Sequence, residues 1–406
     1  MASESARLAI EGGPPVRTTL LPYAHQVIDE RDIAAVTAAL RSDWLTTGPR
    51  IPEFEAALAD ATGAQHAVAF SSGTAALHGA AAVAGLGPGD EAITTPMTFV
   101  ASANAVLYVG ATPRFADVVP GSLLIDPAAV AAAVTGLTKA IIPVDYGGQP
   151  ADYAALRSVA DAAPGGRLTI IADASHSLGA TFERRPVGTL ADLTVLSLHP
   201  AKIMTTGEGG AVLTDRDDFA VALRRFRNHG IETELAARRD WTYAMVELGY
   251  NYRLTDFAAA LGLAQLERLE EWLAHRRRLA ARYLERLAGH PALDLPVVDA
   301  RAGPAWHFMF VQLRLERLRV DRAAVFHALR AEGIGVNVHY IPVHRHPYYL
   351  ERFPDLSFPV AEAAYERLLT LPLHAGMSDA DLDDVVAALD KVTAAYASEP
   401  AARPAP

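Results

Sequence analysis

Lys202 lies in the run Ser197-Leu198-His199-Pro200-Ala201-Lys202, and the bend Thr205-Thr206-Gly207-Glu208-Gly209-Gly210 follows it. The apolar stretch Leu193 to Leu198 reads as a buried strand, so the lysine falls just past a strand end. A lone lysine is ordinarily a solvated surface charge. One held between a strand and a glycine-rich bend, in a partly dry cleft, can lose its proton near neutral pH and condense with a carbonyl as a Schiff base. If it does, the chain carries pyridoxal 5'-phosphate (PLP), and the remaining sequence must seat a phosphorylated, electron-withdrawing ring.

Ser71-Ser72-Gly73-Thr74-Ala75-Ala76-Leu77 follows a strand and opens a helix. Helix N-terminal N–H groups bind phosphate, Thr74 or Ser72 can add a hydroxyl, and Gly73 lets the backbone come close. The same residues also read as a plain strand-to-helix turn with an N-cap. Ser197 could supply another phosphate contact. Asp173 ends the run Leu168-Thr169-Ile170-Ile171-Ala172. A carboxylate there points into the crevice of an open parallel sheet and could keep a pyridine nitrogen protonated, making the ring an electron sink. It could equally cap a helix. His176 could bond a ring hydroxyl or merely satisfy a buried backbone group. Phe99 could stack on a flat ring, although on sequence alone a core phenylalanine is the favoured reading.

Short apolar runs must position these groups: Ala67–Phe70, Glu91–Thr94, Thr112–Ala116, Ala140–Val144, Thr169–Ala172, Leu193–Leu198 and Ala211–Thr214. Helical patterns lie between several of them, at Thr74–Ala84, Phe99–Val109, Pro127–Val134 and Asp152–Ala162. Such alternation predicts a mainly parallel sheet covered on both faces. A longer helical stretch runs from about Thr255 to Leu287, with an apolar stripe at Leu261, Leu263, Leu266 and Leu269 that reads as core or subunit packing. After Pro291 the pattern shortens, which predicts a second domain.

The 406 residues suffice for two domains, and the composition, 51% hydrophobic and 20% charged, is ordinary for a globular protein. A net charge of -11 argues against nucleic acid as a partner. The absence of cysteine excludes disulfides, thiolate metal sites and Cys nucleophiles. No apolar run reaches the roughly 18 residues that span a bilayer, and the first residues hold no apolar signal core. The expectation is a cytoplasmic protein with no membrane partner.

In this order, the runs SSGTAALHGA, GDEAITTPMTFVASANAVLYVGATPRFADV, TKAIIPVDYGGQPAD, ADASHSLGA, SLHPAKIMTTGEGGAVLTD, RNHGI, ELGYNYRLTDFAAALGLAQL and VNVHYIPVHRHPYY resemble the DegT/DnrJ/StrS family of sugar aminotransferases. They cover most of the chain, from about Leu21 to Leu389. The resemblance implies the α/β type I PLP-dependent transferase fold, like aspartate aminotransferase, with a mostly parallel seven-stranded sheet and a smaller C-terminal α+β domain. It implies a large cofactor-binding domain over residues 27–275, a small domain over 276–395 joined by 1–26, and a disordered tail over 396–406.

At matching positions the resemblance implies Lys202 as the Schiff-base lysine, Asp173 as the partner of the pyridine nitrogen, and His176 beside the ring. Gly73, Thr74 and Ser197 would bind the phosphate, and Phe99 would stack on the ring. Asn251 would reach the cofactor phosphate of a neighbouring subunit, which implies a homodimer with shared sites. Tyr23, His339, Tyr340 and Arg253 would meet a nucleotide-sugar substrate, with L-glutamate as amino donor. Arg225, Arg227, Arg238, Arg239, Arg253, His344 and Arg345 are candidates to meet its diphosphate. The HPAK, GYNYRLTD and HYIPVH runs resemble most the branch that aminates a UDP-linked 4-keto-6-deoxy sugar on the pseudaminic acid route. A keto-sugar dehydratase or lyase shares every cofactor residue. A cyclitol aminotransferase and a PLP-binding regulator are further alternatives, though a regulator normally carries an effector domain and no basic helix-turn-helix segment is evident. Some members of the family replace the lysine by histidine and act as dehydratases; this chain keeps lysine, which favours transamination.

Overall fold

The computed structural model describes residues 7–232 and 240–398. Arg238 and Arg239, named above for the diphosphate, lie outside these, as does the chain beyond Ser398. The seven expected runs all form strands: β1 (His66–Phe70), β2 (Glu91–Thr94), β3 (Thr112–Phe115), β4 (Thr138–Ile142), β5 (Thr169–Asp173), β8 (Leu193–Ser197) and β9 (Gly210–Thr214). Between β5 and β8, β6 (Thr181–Phe182) and β7 (Arg185–Pro186) make a small hairpin, to which β11 (Ala302–Gly303) adds. β4 sits two residues earlier than expected: it starts at Thr138, paired with Glu91, and ends before Pro143, which has no N–H for a ladder.

The large sheet has the order β1-β9-β8-β5-β4-β2-β3. β9 alone runs antiparallel to its neighbours, β1 and β8. This reversal matters for the site. The carboxyl ends of β1, β2, β5 and β8 share one edge, and the β8–β9 connection, which carries Lys202, turns back on that same edge.

Both faces of the sheet are dry. Val68, Phe70, Ile171, Leu193 and Val195 pack into one buried cluster, and Ala67, Ala69, Ile170, Ala172 and Leu196 into another. The alternation along each strand assigns the two clusters to the two faces. The helix Gly73–Val83 covers the first face; its alanine-rich sequence forms helix readily, and Ser72 caps it by accepting the Ala75 N–H at 3.0 Å.

A further core surrounds the antiparallel sheet of β10 (Leu293–Asp294), β12 (Met309–Leu313) and β13 (Leu368–Leu371). The expected helix over 255–287 is in fact two, Asp256–Leu266 and Leu269–Arg286. Between them Arg268 is buried against Asp32, at 2.5 and 2.6 Å, and reaches Asp29 at 2.6 Å. The second helix belongs to both cores: Leu269, Trp272 and Leu273 join the sheet-side cluster, whereas Leu279, Ala280 and Tyr283 join the other. At the C-terminus the expected disorder does not begin at 396. Ala397 bridges Leu318, and the Ser398 N–H donates to Arg317 O at 2.9 Å. No described helix is long and apolar enough to cross a membrane.

Candidate active site

The shared strand edge encloses a cleft of about 510 Å³. Tyr23, Gly73, Thr74, Phe99, Asp173, His176, Ser197, Lys202, His339 and Tyr340 all line it. Asn251 and Arg253 do not. Asn251 is exposed, with its backbone bridged to Asn228, and Arg253 donates to Asn228 Oδ1 at 2.8 Å.

The loop that presents Lys202 is held by its own backbone and hydroxyls. Lys202 N–H donates to His199 O at 2.8 Å, Thr206 N–H to Leu198 O at 3.0 Å, and Leu198 N–H to Gly209 O at 2.9 Å. Thr205 Oγ1 donates to Leu198 O and accepts the Gly207 N–H, each at 2.9 Å. Lys202 is half-buried, open to the cleft on one side. Protein packed around the ammonium lowers its pKa to about 8, against the opposing pull of Asp173.

Asp173 closes β5 and is 5% exposed. Its Oδ2 accepts the Ser102 hydroxyl at 2.6 Å, and its Oδ1 accepts the Ser175 N–H at 3.2 Å. His176 follows on the same turn. Its Nε2 lies 3.0 Å from the Tyr340 hydroxyl, and its ring centroid is 4.5 Å from that of His307. Burial, then the Lys202 charge, drives His176 and His307 well below the ordinary histidine range. The same two causes take His339 down to about 3. All three imidazoles are therefore neutral near pH 7. His339 Nδ1 pairs with Thr370 Oγ1 at 2.9 Å, and its carbonyl accepts the Tyr146 hydroxyl. Burial raises the Tyr340 phenol above its ordinary range.

At the other end of the cleft the helix Gly73–Val83 points its N-terminus at Ser197. A Cβ on Gly73 would sit 2.9 Å from Ser197 Cβ, so glycine is needed for this close approach. The Gly73 and Thr74 N–H groups precede the first bonds of the helix, Ala75 N–H to Ser72 Oγ and Ala76 N–H to Ser72 O. The capping and the anion-binding readings of this turn are thus compatible. Phe99 is 58% exposed, which overturns the reading of it as core.

The described diphosphate candidates are engaged elsewhere. Arg225 meets Glu232, Arg227 is buried against Glu55, His344 pairs with Glu362, and Arg345 with Glu366. Among the described residues that line the cleft, Lys202 is the sole lysine or arginine.

Sequence reasoning missed Ser102, Asp145 and His307. Asp145 is fully buried and accepts Ser177 Oγ at 2.5 Å, Ala151 N–H at 2.9 Å and Tyr153 OH at 2.9 Å. Burial lifts its carboxyl to about 7. Asp145 N–H also donates to Asp173 O at 3.1 Å, so it braces the turn that carries Asp173 and His176. The aspartate before a GGQP turn was the available signal.

A mostly parallel α/β sheet with a half-buried lysine and a buried carboxylate at one strand edge defines a transferase of the type I PLP-dependent fold class. A family model described as the DegT/DnrJ/EryC1/StrS aminotransferase family matches residues 26–390, and the chain belongs to that family. The spore coat polysaccharide biosynthesis protein SpsC of Bacillus subtilis (strain 168) is 40% identical over 380 residues, covering 92% of this chain and 97% of SpsC. Helicobacter pylori PseC, an aminotransferase involved in the biosynthesis of pseudoaminic acid, superposes with a TM-score of 0.87 at 28% identity, covering 93% of this chain and 100% of that one. Spr1654 from Streptococcus pneumoniae, in its PLP-form, gives 0.86 at 31% identity, over 93% and 99% of the two chains.

Proposed function

We propose that this chain is a PLP-dependent sugar aminotransferase. It moves an amino group from L-glutamate to the 4-keto carbon of a nucleotide-linked 6-deoxy sugar, UDP-linked and N-acetylated. The observation that carries the reading is Lys202, lowered to about 8 in the same cleft as a hydroxyl-braced Asp173. Membership of an aminotransferase family and likeness to PseC support the reaction and the sugar.

The residues present fit the cofactor. The cleft has the size of small-molecule sites, roughly 300–1,000 Å³. Gly73, Thr74 and Ser197 would take the phosphate at the helix N-terminus. Asp173 would hold the proton on the pyridine nitrogen, and Phe99 would cover the ring. His176 Nδ1 and His307 Nδ1 are buried without a partner, so the wall beside Asp173 has unspent polar capacity. Lys202 Nζ would hold the cofactor aldehyde carbon.

When bound, PLP supplies a protonated ring that absorbs the negative charge developing on the donor's alpha carbon. Lys202 has the basicity to take the proton from that carbon near neutral pH and to return it one position away. Asp173 would face the ring nitrogen with its carboxylate. The neutral imidazoles of His176, His307 and His339 add no competing cation beside Lys202. Tyr23, His339 and Tyr340 would orient the sugar.

We read the active unit as a homodimer. Among the described residues that line the cleft, Lys202 is the sole lysine or arginine and is assigned to the cofactor aldehyde, and Asn251 lies outside its own cleft. Both facts are met if a second copy supplies them. We also read residues 27–275 and 276–395 with 1–26 as two domains, supported by the separate cores that share the helix Leu269–Arg286.

The test is a two-stage assay. Glutamate alone should convert the protein-bound cofactor to its amine form and release 2-oxoglutarate. A panel of UDP- and dTDP-4-keto-6-deoxy sugars is then read by mass spectrometry for the amino sugar. Sugar turnover without any dependence on glutamate would replace this reading by a dehydratase or lyase.

A further inference from the structure

We infer that Ser102, backed by Thr98, is the positioning residue that fixes the orientation of Asp173 in the cleft. The inference rests on the assignment of Asp173 to the pyridine nitrogen. Ser102 Oγ lies 2.6 Å from Asp173 Oδ2 and 2.8 Å from Thr98 Oγ1; its contact with Phe99 O is longer, at 3.4 Å. Ser102 is fully buried and Thr98 is 2% exposed.

The direction of this chain is forced. A hydroxyl has one proton to give. Two oxygens 2.6 Å apart need a hydrogen between them, and an ionised carboxylate has none. Ser102 therefore donates to Asp173 in a short, charge-assisted bond. Thr98, left facing the Ser102 oxygen, donates to Ser102. The relay runs Thr98 to Ser102 to Asp173, with every proton aimed at the carboxylate.

The consequence is an asymmetric carboxylate. Oδ2 is engaged by the buried hydroxyl. Oδ1 has only the longer Ser175 N–H contact, at 3.2 Å, and keeps capacity for a proton presented from the cleft. Ser102 stands in the first turn of the helix Ala101–Tyr108, three residues after the cleft-facing Phe99. One segment thus carries both the ring-covering aromatic and the hydroxyl that sets the acid. Without Ser102 the carboxylate can turn, and with one donor fewer it becomes a stronger base.

The experiment compares PLP-loaded wild type, Ser102→Ala, Ser102→Thr and Thr98→Val. The readouts are the pH titration of bound-cofactor absorbance, cofactor loss on dialysis, and the glutamate half-reaction. Ser102→Ala is expected to shift the titration midpoint. It should also slow the half-reaction by about ten- to a hundredfold, the loss of one hydrogen bond to a charged group, with KM for glutamate little changed. Ser102→Thr keeps the hydroxyl and restores the titration. Thr98→Val moves it in the same direction as Ser102→Ala, by less. A Ser102→Ala protein with wild-type titration, cofactor retention and rate overturns the inference. If Ser102→Ala does not fold, Ser102→Cys decides: a thiol is a weak donor, so a wild-type titration in that variant is equally fatal. If wild type itself takes up no PLP at Lys202, the assignment of function fails instead, and the two failures are distinct.

Discussion

The Tyr340 hydroxyl and the His176 Nε2 stand 3.0 Å apart, and this bond ties the turn after β5 to the segment that bridges β13 through Asn337 and Thr370. Because His176 is neutral, one of the pair donates and the other accepts. Tyr340→Phe leaves a buried ring nitrogen with no partner. It is expected to cost about 1–2 kcal/mol of stability, read as a lower urea midpoint, and to speed cofactor loss on dialysis.

Lys202→Ala should remove the visible absorbance of the purified protein and reduce turnover by about 10⁴-fold, the upper range for a single proton-transfer group. Borohydride treatment followed by peptide mass mapping should mark position 202 in wild type. A mark on another lysine ends the assignment.

The Lys202 charge also predicts a pH effect in the cofactor-free protein. Its folded value is about 8, against 10.5 for an ordinary lysine. Below about pH 8 both states are protonated, and the folded state bears the full cost of the charge. Between the two values the unfolded chain holds a proton that the folded chain has released, so stability rises with pH. Cofactor-free Lys202→Met should therefore exceed wild type by up to roughly 3 kcal/mol below pH 8. The gap should close as pH approaches 10.5. Urea midpoints across this window check the sign, and a gap that widens with pH contradicts it.

Asp173→Asn keeps the shape and an acceptor for Ser102 but removes the charge. The glutamate half-reaction should slow by about 10²–10³-fold, the scale of one lost electrostatic contact to a developing charge. Stopped-flow absorbance measures it directly.

Shared sites make a mixing prediction. Lys202→Ala and Asn251→Ala should each be inactive as pure proteins. Unfolded together and refolded, they should recover about a quarter of wild-type activity, because half of the dimers are mixed and each mixed dimer has one intact site. No recovery would place Asn251 in its own subunit's site, and an active pure Asn251→Ala would place it in neither.

The sheet was legible because each strand is a short apolar run ended by a turn; β4 moved by two residues, and the other strand ends shifted by at most one. The edge that holds Lys202, Asp173 and Ser197 was legible for the same reason, since all three lie at or just past strand ends. The break at Arg268 was not legible. Glu267 and Arg268 are good helix formers, and the break accompanies a buried pairing with Asp29 and Asp32, more than two hundred positions away. Residue type alone favoured a core Phe99, because most phenylalanines are buried; the resemblance put it at the ring, and its exposure is set by the cleft rather than by local pattern. Ser102 sits in an alanine-rich helix, where a small polar residue looks like filler. Its role exists only once β5 brings Asp173 beside it.

The helix Leu269–Arg286 is 18 residues long and is gripped at one end by the sheet-side core and at the other by the β12–β13 core. It acts as an axle rather than a hinge. Swinging one core away from the other must bend a hydrogen-bonded rod or tear out Trp272 or Tyr283. Mutations that loosen this rod should therefore alter the geometry of both cores together.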